Sequence, residues 1–198
     1  MKFNWIALFS HTGTEIVNIS NKIGRWPDTI ITNKAPGSED IHEGIVTGFA
    51  RETGNEVIYS STKPKVANYR QLLDEDAIVT MHGWMRIIPP EICKDFNILN
   101  LHPGLISEYP ELRGKDPQKR VFENDATPTG GTKEYDKVGC VIHKCSPEVD
   151  GGLKVMERST GNCFSGEATL TRALHKMAEG LWVDFFNLYA DGKLDEVL

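Results

Sequence analysis

Short apolar runs alternate with longer amphipathic stretches along the first two thirds of the chain. Turn-forming or polar residues bound each of these runs, which therefore predict β-strands: Trp5–Ser10, Thr29–Thr32, Val57–Tyr59, Ala77–Met81 and Ile98–Leu101. The amphipathic stretches between and after them predict helices: Glu15–Ile23, Ile41–Thr53, Lys65–Leu73 and Pro117–Asn124. Alternation of strand and helix predicts a parallel sheet joined by right-handed crossovers.

The pattern changes in the last third of the chain. Two strand candidates, Val138–Lys144 and Leu153–Glu157, are separated only by Cys145–Gly152, a link that suits an antiparallel reversal better than a helical crossover. A long helix follows over about Gly166–Tyr189, where apolar residues recur at helical spacing. We therefore expect one domain over residues 1–198: an α/β, Rossmann-like, mostly parallel sheet flanked by helices, with a late antiparallel strand pair and a long C-terminal helix.

Composition narrows the classes of partner. The formal net charge of −6 disfavours a nucleic-acid partner, because such proteins usually carry a basic patch. No apolar run is long enough for a membrane span, and the N-terminus reads as a first strand and not as a signal peptide. The four cysteines form no CxxC pair, which favours reduced thiols. We expect a cytoplasmic protein that binds neither membrane nor nucleic acid.

The strongest candidate for chemistry is Asn100-Leu101-His102-Pro103-Gly104. Residues two apart in a strand point to the same face, so Asn100 and His102 should lie side by side. Pro103-Gly104 ends the strand, which places both side chains at the edge where open α/β sheets bind ligands. An amide and an imidazole together suit the stabilisation of an oxyanion during acyl transfer. The alternative is a turn-capping asparagine beside a structural histidine.

A second candidate is Glu148–Gly152, between the two late strands. Paired glycines allow close approach of a ligand, and an aspartate in such a turn can face a cleft. If Asp150 lies near His102, its charge favours the imidazolium form, which stabilises an oxyanion. The alternative is an ordinary Asp-Gly turn.

Two further segments follow predicted strands. Gly83–Pro90 is mostly apolar with one arginine and could line a pocket for a flat ring, or else belong to the core. Ser10–Glu15 joins the first strand to the first helix, and amide groups at a helix N-terminus form a general anion site. It matches neither GxGxxG nor GxxxxGK[ST], so the sequence supports neither dinucleotide binding nor NTP hydrolysis.

A metal site is not expected. Cys140, His143 and Cys145 resemble part of a zinc site, but Cys140 and Cys145 have opposite parity along one strand and would point to opposite faces. Ala126–Asp136, rich in glycine, threonine and proline, is expected to be a flexible loop.

Taken in order, these segments resemble the 10-formyltetrahydrofolate-dependent formyltransferases, and among them most of all the glycinamide ribonucleotide formyltransferases. The resemblance rests on Ser10–Glu15, Gly83–Ile88, Leu99–Leu105 and Val149–Gly152, and the tail Tyr189–Leu194 also looks like the family's C-terminal helix end. It covers most of the chain and is most specific from Gly83 to Gly152. It implies transfer of a formyl group from 10-formyltetrahydrofolate, as cosubstrate, to the primary amine of a small nucleotide-like molecule.

The resemblance also implies roles for individual residues. Asn100 and a protonated His102 would bind the oxyanion, and Asp150 would keep the imidazole charged and help to move a proton. The folate would lie against two segments, whose residues are Met85, Arg86, Ile87, Ile88, Cys145, Ser146, Pro147, Glu148 and Val149. The acceptor would lie at the first loop, at Thr12, Gly13, Thr14 and Glu15.

The first loop departs from the family pattern, Ser-Gly-x-Gly-Ser/Thr-Asn. His11 replaces the first glycine and Glu15 the asparagine, and a carboxylate beside a phosphate is unfavourable unless it is compensated. The segment Tyr109–Gln118, with its Arg-Gly-x-x-Pro core, looks more like the methionyl-tRNA and sugar-nucleotide formyltransferases. Phosphoribosylglycinamide is the leading expectation for the acceptor.

Several alternatives stay open at this level. They are a sugar-nucleotide or other nucleotide N-formyltransferase, a 10-formyltetrahydrofolate hydrolase and a catalytically silent folate- or nucleotide-binding module. The methionyl-tRNA enzyme is disfavoured because the acidic chain ends where that family continues into a tRNA-binding domain. A silent module would not need Asn100, His102 and Asp150 together, and a nicotinamide oxidoreductase would need the missing glycine-rich fingerprint.

Overall fold

The computed structural model describes residues 3–126 and 130–194. The strands are β1 (Asn4–Phe9), β2 (Thr29–Thr32), β3 (Ile58–Tyr59), β4 (Ala77–His82), β5 (Asn97–His102), β6 (Lys137–Lys144) and β7 (Lys154–Gly161). The helices are α1 (Thr14–Ile23), α2 (Phe49–Thr53), α3 (Val66–Leu72), α4 (Pro90–Asp95), α5 (Pro117–Phe122) and α6 (Glu167–Ala190). A π-helical turn (Gly44–Gly48) leads into α2, and a 3₁₀ turn (Pro110–Leu112) precedes α5.

The strands form one sheet in the order β3-β2-β1-β4-β5-β6-β7. β1 to β5 pair in parallel, and β6 and β7 are antiparallel to their neighbours. The predicted fold class is therefore confirmed. Phe9 pairs with His82, Met81 with Asn100 and Asn100 with His143. The carboxyl ends of β1, β4 and β5 thus lie side by side, whereas the antiparallel β6 ends beside the first half of β5, where Lys144 pairs with Leu99.

Both faces of the sheet are covered, which explains why the inner strands are continuous apolar runs. Along β1, Trp5 and Phe9 point into a core shared with α1 and α6, and Ile6 and Leu8 point into a second core shared with α3 and α4. Trp182 of α6 is fully buried in the first core. Within the described ranges, no helix combines the length and apolar character of a membrane span.

Two predicted elements have different bounds in the structure. The helix expected over Ile41–Thr53 begins only at Gly44, because His42 is hydrogen-bonded to the first loop instead. The His42 backbone N–H donates to the Thr12 carbonyl at 2.8 Å, and its Nδ1 accepts from the Gly44 N–H at 3.0 Å. The strand expected over Leu153–Glu157 runs over Lys154–Gly161, because its pairing with β6 continues to the end.

The segment Ala126–Asp136, expected to be a flexible loop, is packed at its described ends. Residues 127–129 of that prediction lie outside the described part of the chain. Tyr135 is buried edge-on against Tyr109, at 5.1 Å between ring centroids, and the Tyr109 hydroxyl donates to Asp136. Lys133 reaches over the Tyr109 ring at 4.6 Å. This segment is therefore anchored to the domain on its C-terminal side.

Candidate active site

Four groups from three parts of the chain meet at the carboxylate of Asp150. The Nδ2 of Asn100 lies 3.3 Å from its Oδ1, and the Nδ1 of His102 lies 3.1 Å from its Oδ2. The backbone N–H of Gly114 donates to Oδ2 at 2.9 Å, and the Nε2 of His143 lies 3.5 Å from Oδ1. The structure thus brings the three predicted catalytic residues together in one cluster.

The end of β5 is shaped to hold His102. Asn100 and His102 are two residues apart on the strand and share a face, as predicted. The chain then turns beneath the imidazole, where a Cβ on Gly104 would lie 3.0 Å from His102 Nε2 and 2.9 Å from the Cβ of Pro117. Only glycine leaves room for both the ring and the start of α5.

The loop between β6 and β7 presents Asp150 in a conformation that is rare for non-glycine residues. Its φ of 52° lies in the left-handed region, and such strain persists only where surrounding contacts fix it. The paired glycines allow this turn: a Cβ on Gly152 would lie 2.7 Å from the carbonyl carbon of Lys144, and closer still to its oxygen. The turn therefore requires glycine after Asp150, because the backbone of the loop passes very close to the backbone of Lys144.

Hydrogen-bond geometry indicates that His102 carries a proton on both ring nitrogens. Its Nε2 lies 2.9 Å from the carbonyl oxygen of Leu112, which can only accept a hydrogen bond. Its Nδ1 faces the Asp150 carboxylate, which when ionised is also only an acceptor. The arrangement is a buried imidazolium–carboxylate pair, which is well suited to stabilising negative charge that develops nearby.

The same contacts control the charge of Asp150. Burial alone would raise the pKa of its carboxyl group. The hydrogen bonds to His102 and His143, the charge of His102 and the N–H of Gly114 act in the opposite direction and hold the pKa well below its usual value of 3.8. Asp150 is therefore ionised at neutral pH.

This shift predicts an acid dependence of stability that can be assigned to Asp150. Because the folded pKa is depressed, the stabilisation is fully present above the ordinary pKa of 3.8 and is lost as pH falls through the folded value. The difference in free energy of unfolding between wild type and Asp150→Asn should have its full value at about pH 5 and above, and shrink below about pH 4. Urea unfolding at a series of pH values measures it. A difference that stays constant down to about pH 2 would contradict the assignment.

Sequence reasoning missed two contributors to this cluster. His143 was considered only as part of a zinc site; it is buried, and its Nδ1 lies 3.0 Å from the Lys144 carbonyl oxygen, which leaves Nε2 facing Asn100 and Asp150. The Leu112–Gly114 turn was noted only for its family resemblance. A histidine inside an otherwise apolar strand next to the Asp150 loop was the available signal for His143.

The first segment predicted to contact the folate follows β4, the strand next to β5, and exposes apolar side chains. Met85 and Ile87 expose 53% and 78% of their surface, whereas Ile88 is buried in the second core. The Arg86 guanidinium is engaged with backbone: its Nε donates to the Thr62 carbonyl at 2.7 Å. The segment therefore offers an apolar surface, and Arg86 acts as its anchor.

The second predicted segment, Cys145–Val149, also has an exposed apolar side chain, because 52% of Val149 is accessible. Cys145 points inward, where the neighbouring Cys93 thiol and burial raise the pKa of its thiol. The Ser146 hydroxyl donates to the Glu148 carbonyl at 2.7 Å, which closes the turn. Cys145 and Ser146 can therefore present backbone groups to a ligand more readily than side chains.

The first loop joins the end of β1 to α1 and contacts the apolar segment. The Met85 N–H donates to the Ser10 hydroxyl oxygen at 2.9 Å. Thr12 and Thr14 are exposed, with their hydroxyl oxygens 2.8 Å apart, and Gly13 has a φ of 75°. The Glu15 carboxylate is turned inward, where its Oε2 lies 2.6 Å from His82 Nδ1.

Among the residues 3–126 and 130–194, no group of three or more histidine, cysteine or acidic side chains is placed to hold a metal ion. In particular, the Cys140 thiol is buried and donates to the Leu174 carbonyl at 3.4 Å, whereas Cys145 faces Cys93.

Comparisons with known proteins identify the family of the sequence. The sequence profile of the family described as "Formyl transferase" matches residues 29–179. Phosphoribosylglycinamide formyltransferase of Dictyostelium discoideum is 32% identical over 88 residues, and this match covers 41% of the present chain and 39% of that protein. The match thus spans well under two thirds of the curated relative.

Solved structures share the fold over nearly the whole chain. Phosphoribosylglycinamide formyltransferase of Anaplasma phagocytophilum superposes with a TM-score of 0.74 at 19% identity, covering 98% of this chain and 89% of that one. The enzyme of Coxiella burnetii, solved in complex with CHES, gives a TM-score of 0.75 at 16% identity, covering 97% and 89%. At these identities the likeness concerns the fold.

Proposed function

This chain belongs to the formyl transferase family, and from that premise we propose that it transfers a formyl group from 10-formyltetrahydrofolate to a primary amine, with phosphoribosylglycinamide as the acceptor. One observation supports the chemistry above all. Asn100 and a doubly protonated His102 meet the buried carboxylate of Asp150 at the carboxyl end of β5. The names of the relatives support the choice of acceptor.

In the proposed reaction the amine attacks the formyl carbon, and the formyl oxygen becomes negative. The proton on His102 Nε2 is the one available to that oxygen, because it is held only by the neutral carbonyl of Leu112, and an oxyanion is the stronger acceptor. Asn100 can donate a second N–H from its Nδ2, which also lies 3.4 Å from His143 Nε2. Loss of one such donor typically raises the barrier by about 3–4 kcal/mol.

Asp150 has two tasks in this scheme. It keeps the imidazolium charged at Nδ1 while Nε2 serves the oxyanion, and its carboxylate, with an ordered water, helps to carry the proton from the attacking amine to the leaving nitrogen of the folate. The low pKa of Asp150 suits the first task. No covalent intermediate with the protein is required, so catalysis consists of positioning and electrostatic stabilisation.

The residues present fit the cosubstrate that the family implies. The exposed apolar side chains Met85, Ile87 and Val149 provide surface for a flat ring, and the closed turn after Cys145 offers backbone groups that could recognise its polar edge. The acceptor's phosphate would bind at the start of α1, where the amide groups and the helix dipole favour an anion.

A spectrophotometric assay of tetrahydrofolate release from 10-formyltetrahydrofolate tests the proposal. Release that depends on added phosphoribosylglycinamide is the expected result. Equal release without any amine would identify a hydrolase, and binding of the folate without release would mean that phosphoribosylglycinamide is not the acceptor. Assays with amino-bearing sugar nucleotides would then follow.

A further inference from the structure

We propose that the contact between Glu15 and the buried His82 determines how tightly an anionic acceptor binds: His82 holds the Glu15 carboxylate away from the amide groups at the start of α1 and so leaves them to the acceptor's phosphate. This inference rests on the proposed function and deepens it. It makes His82 a positioning residue for the acceptor, with no role at the reacting atoms.

Glu15 is the group that could compete with the phosphate. It is the second residue of α1, and a carboxylate in the first turn of a helix is attracted to the same free N–H groups that would bind an anion. A carboxylate left there would both occupy the amide groups and repel a phosphate. The structure shows Oε2 instead 2.6 Å from His82 Nδ1, with 28% of the Glu15 side chain exposed.

The His82 ring is fixed in the orientation that this contact requires. Its side chain is fully buried at the end of β4, 5.2 Å from the Trp182 ring. Its Nε2 lies 2.9 Å from the Thr80 hydroxyl oxygen, and that oxygen accepts a hydrogen bond from Trp5 Nε1 at 2.7 Å. This series of hydrogen bonds from Trp5 through Thr80 to His82 leaves the His82 Nδ1 directed at the first loop. There Nδ1 must donate to the Glu15 carboxylate if that group is ionised.

The position of His82 relative to the active site follows from the sheet register. His82 pairs with Phe9, the residue just before the first loop, and its neighbour Met81 pairs with Asn100. His82, at the end of β4, thus lies between β1, which leads into the first loop, and β5, which carries Asn100 and His102. Burying this series of hydrogen-bonded polar groups costs free energy. Packing alone does not explain it, because an apolar side chain would fill the same space without needing hydrogen-bond partners.

The test compares His82→Ala with the double variant His82→Ala/Glu15→Gln. Without its partner, Glu15 keeps its charge and turns to the start of α1, so KM for phosphoribosylglycinamide should rise about 10- to 100-fold while kcat changes little. In the double variant the charge is absent although the space left by the ring remains, and KM should return to within about threefold of wild type. His175→Ala, at an exposed histidine of α6, is the control.

The outcomes separate charge from packing. If His82→Ala leaves KM unchanged, or if the double variant binds the acceptor as weakly as the single one, the proposal is wrong. Melting temperatures of both variants show whether either fails to fold.

A second readout keeps this inference independent of the acceptor's identity. Binding of ribose 5-phosphate, measured by calorimetry, should weaken in His82→Ala and recover in the double variant. That order of affinities would support the pair's role even if wild type does not formylate phosphoribosylglycinamide. If wild type does not bind ribose 5-phosphate, or if the variants bind it equally well, the inference fails.

Discussion

Replacing Asp150 with asparagine should lower kcat for formyl transfer by about 10³- to 10⁴-fold, while binding of the folate remains close to that of wild type. The substitution keeps the shape of the side chain but removes the charge that holds His102 as an imidazolium. It also removes the group that is proposed to help move a proton. Steady-state rates of tetrahydrofolate release measure the first effect, and quenching of protein fluorescence on folate binding measures the second.

Asp184→Asn is the matched control, because it removes an aspartate charge of α6 that is paired on the surface with Arg158 of β7. Its rate should equal that of wild type, since an exposed ion pair contributes little to stability. An Asp150→Asn protein with wild-type kcat would remove Asp150 from the catalytic assignment. A protein that is inactive and has also lost folate binding would show that the residue acts mainly by shaping the loop.

Replacing Gly152 with alanine should destabilise the protein more than the addition of a methyl group at any other position of this loop. The added Cβ would lie 2.7 Å from the Lys144 carbonyl carbon, and real Cβ atoms essentially never approach within 3.0 Å of such a neighbour. Because the obstacle is the backbone of Lys144 at the end of β6, it cannot move aside as a flexible side chain could. We expect a loss of about 3 kcal/mol in the free energy of unfolding and a fall of about 6–12 °C in melting temperature.

Gly161→Ala provides the comparison at the end of β7, where an added Cβ meets nothing within 4 Å. That variant should melt within a few degrees of wild type, by about the amount expected of a surface substitution. Because Asp150 is two residues from Gly152, the Gly152→Ala protein should also lose activity beyond its loss of stability. Assays at a temperature where both variants are fully folded separate the two effects. Full activity in folded Gly152→Ala would mean that the loop tolerates displacement of Asp150.

The fold could be predicted from the sequence because its signals are local. Strands buried on both faces must be continuous apolar runs, and such runs marked β1, β2, β4 and β5 to within about one residue. The boundaries that were missed depend on contacts between distant segments. The helix expected from Ile41 starts late because His42 bonds to Thr12, some thirty residues earlier in the chain.

The sequence by itself determined the candidate catalytic residues. Strand parity places Asn100 beside His102, the Asp-Gly-Gly turn marks Asp150, and their resemblance to family blocks links all three. These signals are specific because each depends on residues only a few positions apart.

Only the tertiary structure decided how the charges are paired. Asp150 also meets His143 and Gly114, and Glu15 is turned to His82, which lies 67 residues further along the chain. The sequence presented Glu15 as an obstacle to phosphate binding, and the structure gives it a buried partner. Electrostatic compensation depends on the distance between side chains in space and not on their separation along the chain, and that distance is fixed by sheet register and loop closure.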